Sequence, residues 1–209
     1  MIKGHKNNAV IPCGLNLENF YPMNKNIARE MIGLSENKKY ILFPSGFDNP
    51  VKNYPLAKKA VDNLNEEIEI IELKNKTREE VSLLLNACNL MLLTSFSEGS
   101  PQIIKEAMAC NCPIVATDVG DIKEIIGDTE GCFLVSFKNK DSRRDGEPKS
   151  KKTQSELIEE TSQKIEEALK FAEQVGRTKG STKIIELGLD SATVAKKIFD
   201  VYKEVLEIK

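Results

Sequence analysis

The chain has 209 residues, 40% hydrophobic and 30% charged, with 12 glycines and 8 prolines, the make-up of an ordinary globular protein rather than a disordered, fibrous or disulfide-stapled one. Its 30 basic and 32 acidic residues leave a net charge of −2, so there is no broad positive field for nucleic acid or anionic lipid, and any phosphate binding must be local. The five cysteines (Cys13, Cys88, Cys110, Cys112, Cys132) are odd in number and lack paired C-x-x-C spacing, and His5 is the only histidine. Reduced, buried thiols of a cytoplasmic protein are therefore expected, and a Cys/His metal site lacks ligands. No apolar run approaches the roughly 20 residues that span a bilayer, and Met1-Ile2-Lys3-Gly4-His5-Lys6 begins no signal peptide. One domain over 1–209 is expected, although length alone leaves room for a second small unit.

Along the chain, short apolar runs alternate with helical patterns, the signature of βαβ units around a parallel sheet. The fold expected is α/β, a Rossmann-like parallel sheet flanked by helices. A first short strand is predicted at 9–11 and a second at 40–43, followed by a helix over 55–64. The run at 68–73 begins with alternation and reads as a more exposed strand near an edge. A helix at 77–87 follows, with Thr77 as N-cap and Glu80 as its capping-box partner. The continuously apolar runs at 90–93 and 113–116 read as central strands covered on both faces, with a helix at 101–110 between them. A strand at 132–135 precedes a stretch at 138–153 so dense in charge, Gly, Pro and Ser that it reads as a surface loop. Two helices close the chain, at about 154–175 and 191–206, the last capped by Asp190 or Ser191.

The run from Leu92 to Ala109 is a buried strand, a short polar loop and a helix. In open α/β sheets the ligand crevice lies outside the carboxyl ends of the strands, where helix N-termini point free N–H groups outward. Ser100 fits the N-cap and Pro101 the first helical position, which makes the Gln102 and Ile103 amides the donors an anion would meet; the Ser100 hydroxyl is a competitor for one of them. Ile103, Ile104, Ala107 and Met108 form the buried stripe, leaving Gln102 and Glu106 together on one flank. Glu98 precedes this helix and Glu106 lies further along it, about two turns from Glu98, a separation near the length of a sugar-diphosphate at about 1.5 Å rise per residue. Two carboxylates so placed are not an acid/base pair. They suit gripping hydroxyls at the two ends of one extended ligand.

Glu98 and Glu106, with seven residues between them in SEGSPQIIKEAMACNCPIVATDVGDIKEII, resemble the E-x7-E motif of retaining GT-B glycosyltransferases, in particular family 4. The resemblance extends to Val10-Ile11-Pro12-Cys13-Gly14-Leu15-Asn16 with Phe20 and Pro22, similar to the family's lead-in to its second domain. It extends further to residues 45–53, 131–135 and the closing helix with Tyr202. It implies the C-terminal, donor-binding half of a GT-B fold, with the N-terminal acceptor domain absent from the chain. The almost direct passage from strand 68–73 to its helix, and Gly120-Asp121 where many members have two glycines, are similar to bacterial enzymes of cell-surface polysaccharide synthesis.

Carried over, the resemblance makes Glu106 the acceptor of ribose hydroxyls and Glu98 the residue that orients the donor sugar. The Gln102 and Ile103 amides, in the loop of Gly99, Ser100 and Pro101, would hold the diphosphate with Lys52; Gly120 would face the ligand through its backbone. Gly46 stands where the family usually has an arginine, so that charge has to come from elsewhere, with Lys105 or the acceptor domain as sources. No Asp-x-Asp motif occurs and no metal or other cofactor is expected. The implied activity is transfer of a hexose-type sugar from a nucleoside diphosphate to a glycan or lipid-linked acceptor. The chain alone is expected to bind nucleotide weakly and transfer nothing, and peripheral membrane association of the full enzyme is compatible with this. A nucleotide-sugar epimerase or hydrolase of the same fold, or a non-catalytic nucleotide-binding or interaction domain, are the alternatives.

Overall fold

The computed structural model describes residues 10–136 and 152–207. Of the strand expected at 9–11, Ala9 lies outside the described residues, and Val10 and Ile11 are in no strand, with Val10 98% exposed. The chain docks instead at Leu15, which bridges Asp190; the Leu15 amide donates to Leu189 O at 2.8 Å and the Ser191 amide to Leu15 O at 2.9 Å.

The elements in order are α1 (Lys25–Ile32), β1 (Lys39–Phe43), a 3-10 turn (Pro50–Lys52), α2 (Tyr54–Asp62), β2 (Ile68–Glu72), α3 (Arg78–Ala87), β3 (Leu90–Leu93), α4 (Gln102–Ala109), β4 (Ile114–Thr117), α5 (Ile122–Ile126), β5 (Cys132–Val135), α6 (Gln154–Gln174), α7 (Gly180–Glu186) and α8 (Ser191–Glu207). The expected helices form within two residues of their predicted bounds, and the Thr77–Glu80 capping box is present. Asp190 takes the α8 cap, its Oδ1 accepting from the Thr193 amide at 2.9 Å. Helices α1, α5 and α7 were not expected. Asn24 opens α1 by accepting from the Asn26 and Ile27 amides, and Gly33 closes it in the left-handed conformation. The charged stretch at 138–153 lies outside the described residues except for Lys152 and Thr153. Thr153 belongs to α6 as its N-cap, in a second capping box with Glu156. His5 also lies outside them.

All five strands are parallel, in the order β2-β1-β3-β4-β5. Alternation along each strand divides the core. Leu42, Met91, Leu93, Ile114 and Ala116 face one side, packed with Leu84, Leu85, Ile104 and Met108. Ile41, Phe43, Leu90, Leu92 and Val115 face the other, packed with Ala57, Ala60, Ile165 and Ala168. β3 and β4 are buried throughout while β2 is half-buried, as their patterns predict. Cys88, Cys110 and Cys112 are buried and Cys132 partly so, but Cys13 is exposed on the lead-in segment, so burial does not extend to all five thiols. α8 leaves Ile198, Phe199, Tyr202, Val205 and Leu206 exposed. No helix among the described residues is long and apolar enough to cross a membrane.

Candidate functional site

In a parallel sheet of this order the chain leaves β1 for one side and returns to β3 on the other, so the loops after β1 and β3 diverge and open a crevice between them. Three hydrogen bonds stitch those loops together at its floor. The Phe96 amide donates to Val51 O at 2.9 Å, and the Thr94 hydroxyl donates to Lys52 O at 2.9 Å and to Asn53 O at 3.1 Å. Asn49 starts the 3-10 turn by accepting from the Val51 amide, and Asn53 ends it in the left-handed conformation. This turn delivers Lys52 across the crevice. Its Nζ lies 2.5 Å from Glu98 Oε1, to which the Ser95 hydroxyl also donates at 2.6 Å. The two side chains are 46 positions apart in sequence, and only the strand order makes them neighbours.

The start of α4 differs from its expected form by one residue. Pro101, not Ser100, is the N-cap, with ψ 117, and no side chain caps the helix. Proline's extended ψ and missing N–H end the loop one position later, so the first helical residues are Gln102 and Ile103. No acceptor among the described residues takes their amides, which removes the competition expected from the Ser100 hydroxyl. Gly99 and Ser100 are exposed, and a side chain at Gly99 would meet nothing within 4 Å. The neighbouring loop supports this one from below. Gly120, at φ +64, lies so close that an added Cβ would stand 2.3 Å from Gly99 O and 2.9 Å from Glu98 O. The Asp121 amide donates to Gly99 O at 3.1 Å.

Lys105 is corrected as a source of charge for a diphosphate. It is fully buried, and its Nζ donates to Cys13 O at 3.1 Å and Gln102 Oε1 at 3.4 Å. Gln102 Nε2 in turn donates to Gly14 O at 3.2 Å. These two side chains fasten the lead-in segment onto α4, because each lies on the helix face turned toward it rather than toward the crevice. At Gly46, an added Cβ would stand 2.5 Å from Asp48 Oδ1 and 3.3 Å from Lys74 Cδ. Lys74 therefore runs over the bare backbone at this position, its Nζ 2.8 Å from Asp48 Oδ2.

Glu106 is buried. Burial pushes its carboxyl above the ordinary carboxylate range, and Arg78 opposes this by favouring the charged form. Nη2 of Arg78 lies 3.5 Å from Glu106 Oε1, and its guanidinium sits 5.5 Å from the centre of the Phe20 ring. Sequence reasoning missed both Arg78 and Ser95. The capping box placed residue 78 at a helix start, but nothing in the sequence says that this start faces α4. Ser95 stands three residues before Glu98, close enough to be found by asking what orients that carboxylate. Among the described residues no three His, Cys, Asp or Glu side chains are grouped as a metal centre.

The profile of the family described as Glycosyl transferases group 1 matches residues 58–174, which include the crevice residues from Ser95 to Gly120. An uncharacterized glycosyltransferase of Methanocaldococcus jannaschii, MJ1178, is 34% identical over 67 residues, 32% of this chain and 19% of that protein. Among solved structures, sucrose-phosphate synthase from Thermosynechococcus elongatus superimposes with a TM-score of 0.71 at 18% identity, over 96% of this chain and 53% of that one. Anabaena HepE in complex with UDP and glucose superimposes with a TM-score of 0.66 at 19% identity, over 94% of this chain and 57% of that one. The chain thus spans about half the length of these structures and less of its curated relative. The fold matches that of GT-B glycosyltransferases.

Proposed function

Because the chain belongs to the group 1 glycosyl transferases, we propose that the crevice between the β1 and β3 loops binds a nucleoside-diphosphate sugar for retaining transfer of the family 4 type. Glu106 accepts from the ribose hydroxyls, the Gln102 and Ile103 amides and Lys52 hold the diphosphate, and Glu98 orients the hexose. Gly99, Ser100 and Pro101 form the exposed loop along which the ligand lies, and Gly120 keeps that loop in place. The acceptor, a glycan or lipid-linked sugar, is bound by a part of the enzyme outside these residues. UDP and glucose bound to Anabaena HepE support a nucleotide sugar as the ligand class.

The observation that carries this reading is the meeting of Lys52 and Glu98 at the strand-order reversal, beside an uncapped helix start. When the bond from the sugar to the diphosphate breaks, negative charge grows on the departing oxygen. Two fixed amides and one ammonium placed at that oxygen stabilise the charge without having to reorganise. Glu98 engages Lys52 and Ser95 through one oxygen, leaving the other to accept a sugar hydroxyl beside the reacting carbon. Lys52 has further N–H donors beyond the one given to Glu98.

Calorimetric titration of UDP-, GDP- and ADP-sugars into the unaltered chain and Glu106→Ala tests the reading. Saturable binding lost in the variant is expected. Binding of equal strength in both would remove Glu106 from the site. No binding by the unaltered chain would favour an interaction domain built on the same fold.

A further inference from the structure

Arg78 is a charged side chain beside Glu106 that neither the motif nor the proposed ligand contacts account for. It is the first residue of α3, where the Thr77–Glu80 capping box fixes its backbone and leaves its side chain free to lean toward α4. There the guanidinium rests by the Phe20 ring, itself almost wholly buried, in the range of a cation–π contact. At 3.5 Å from Glu106 Oε1 it is at the outer limit of a hydrogen bond and well within reach as an ion pair. The two partners differ sharply in exposure, 62% for the Arg78 side chain against 8% for Glu106.

We propose that Arg78 is a positioning residue that holds Glu106 as an ionised acceptor turned toward the ribose hydroxyls of the bound nucleotide. This rests on the reading of Glu106 as the ribose acceptor. A carboxylate accepts through both oxygens, whereas a neutral carboxyl gives up part of that capacity to its own proton. Burial drives Glu106 toward the neutral form, so a compensating cation is needed for it to accept from two hydroxyls. The elements packed most extensively against α4 are α3, α5, α7 and β4. Of the charged groups they and α4 carry, Arg78 is the one within ion-pair distance of Glu106 among the described residues; Lys105, next along α4, gives its ammonium to the Cys13 carbonyl. The pairing uses Oε1 and leaves the second oxygen without a hydrogen bond among the described residues. Phe20 holds the guanidinium from behind, so the charge stays at the cleft wall.

The test is calorimetry with UDP, GDP and ADP, from mildly acidic to neutral pH, on the unaltered chain, Arg78→Met, Arg78→Lys, Glu106→Gln, Glu106→Ala and the Arg78→Met/Glu106→Gln pair. Thermal unfolding confirms that each variant is folded. Arg78→Met is expected to weaken the tightest-binding nucleotide roughly fivefold, the scale of a partly exposed ion pair, and to move the acid limb of binding toward neutral pH. Arg78→Lys should restore part of both. In the Glu106→Gln background, where no charge needs holding, Arg78→Met should cost nothing further. An equal loss in both backgrounds, or an unmoved acid limb, overturns the proposal while leaving Glu106 as ribose acceptor. Undiminished binding by Glu106→Ala removes the ribose reading itself, and absence of binding by the unaltered chain overturns both.

Discussion

A buried carboxylate destabilises a fold unless something neutralises it, and at Glu106 the neutralisation is partial. Burial raises its proton affinity more than Arg78 lowers it. A carboxyl raised in the folded state gives its stabilisation in full below the unfolded value, 4.5 here, and loses it as pH rises through the folded one. On the role proposed for Glu106, nucleotide binding by the ionised form should run the opposite way, strengthening with pH across the same window. Glu106→Gln is therefore expected to raise stability at neutral pH by roughly 0.5–2 kcal/mol, to flatten the pH dependence of thermal unfolding above 4.5, and to weaken nucleotide binding. A destabilised Glu106→Gln at neutral pH would contradict this account. Gly120 shows another single-atom effect. A methyl group there would meet the backbone oxygens of Gly99 and Glu98, which cannot swing aside as a side chain would. Gly120→Ala should cost roughly 1–3 kcal/mol through strain at a positive φ and displacement of the loop, and should weaken nucleotide-sugar binding along with it. Chemical denaturation and calorimetry on the same sample check both effects.

At the scale of elements, the start of α4 is left chemically open. Pro101 closes the preceding loop without supplying a side-chain acceptor, so two amides remain for a ligand. Pro101→Ser would place a hydroxyl at the cap. The gain from a capped helix and the loss of proline's stiffening of the unfolded chain nearly offset each other, leaving stability within about 1 kcal/mol of the parent. Diphosphate affinity should fall several-fold, because the hydroxyl competes for the same N–H groups. An unchanged affinity for UDP would mean that these amides do not meet the diphosphate. Elements with strong local signals were legible from sequence: the Thr77–Glu80 box, the two continuously apolar strands and the long amphipathic α6. Helices α1, α5 and α7 were not, because they are short and their start or stop signals (Asn24 with Gly33, or a lone Gly180) are common in loops as well. The cap at Pro101 was misplaced by one residue for a related reason. Serine and proline each favour a helix start, and only the backbone angles decide which of them ends the loop.

For the whole molecule, Glu98 and Glu106 could be read from sequence because their spacing is local to one loop and helix. The contact from Lys52 to Glu98 could not, since it depends on strand order, and a run of apolar residues does not say which strand it pairs with. The crossing from α3 to α4 that joins Arg78 to Glu106 is hidden in the same way. The cysteines give a test of this global arrangement that does not pass through the crevice. Cys88 and Cys112 lie among the buried residues beside the sheet, and burial pushes both thiols up. Cys110 and Cys132 are pushed up to about 12 by the same cause, and Cys132 turns its sulfur to Met108 Sδ at 3.8 Å. Cys13 alone is exposed. Since the thiolate is the reactive form and needs access, a disulfide reagent should modify one thiol per folded chain at neutral pH and all five of the sequence in denaturant. Cys88 caps the end of α3, Cys110 and Cys112 follow α4, and Cys132 begins β5, so if the sheet unfolds as one cooperative unit the four slow thiols should become reactive together, at the denaturant concentration where circular dichroism is lost. Early release of Cys132 alone would show β5 detaching as a separate, weaker edge. That outcome would leave the Lys52 and Glu98 loops intact, because they are carried by β1 and β3 at the centre of the sheet.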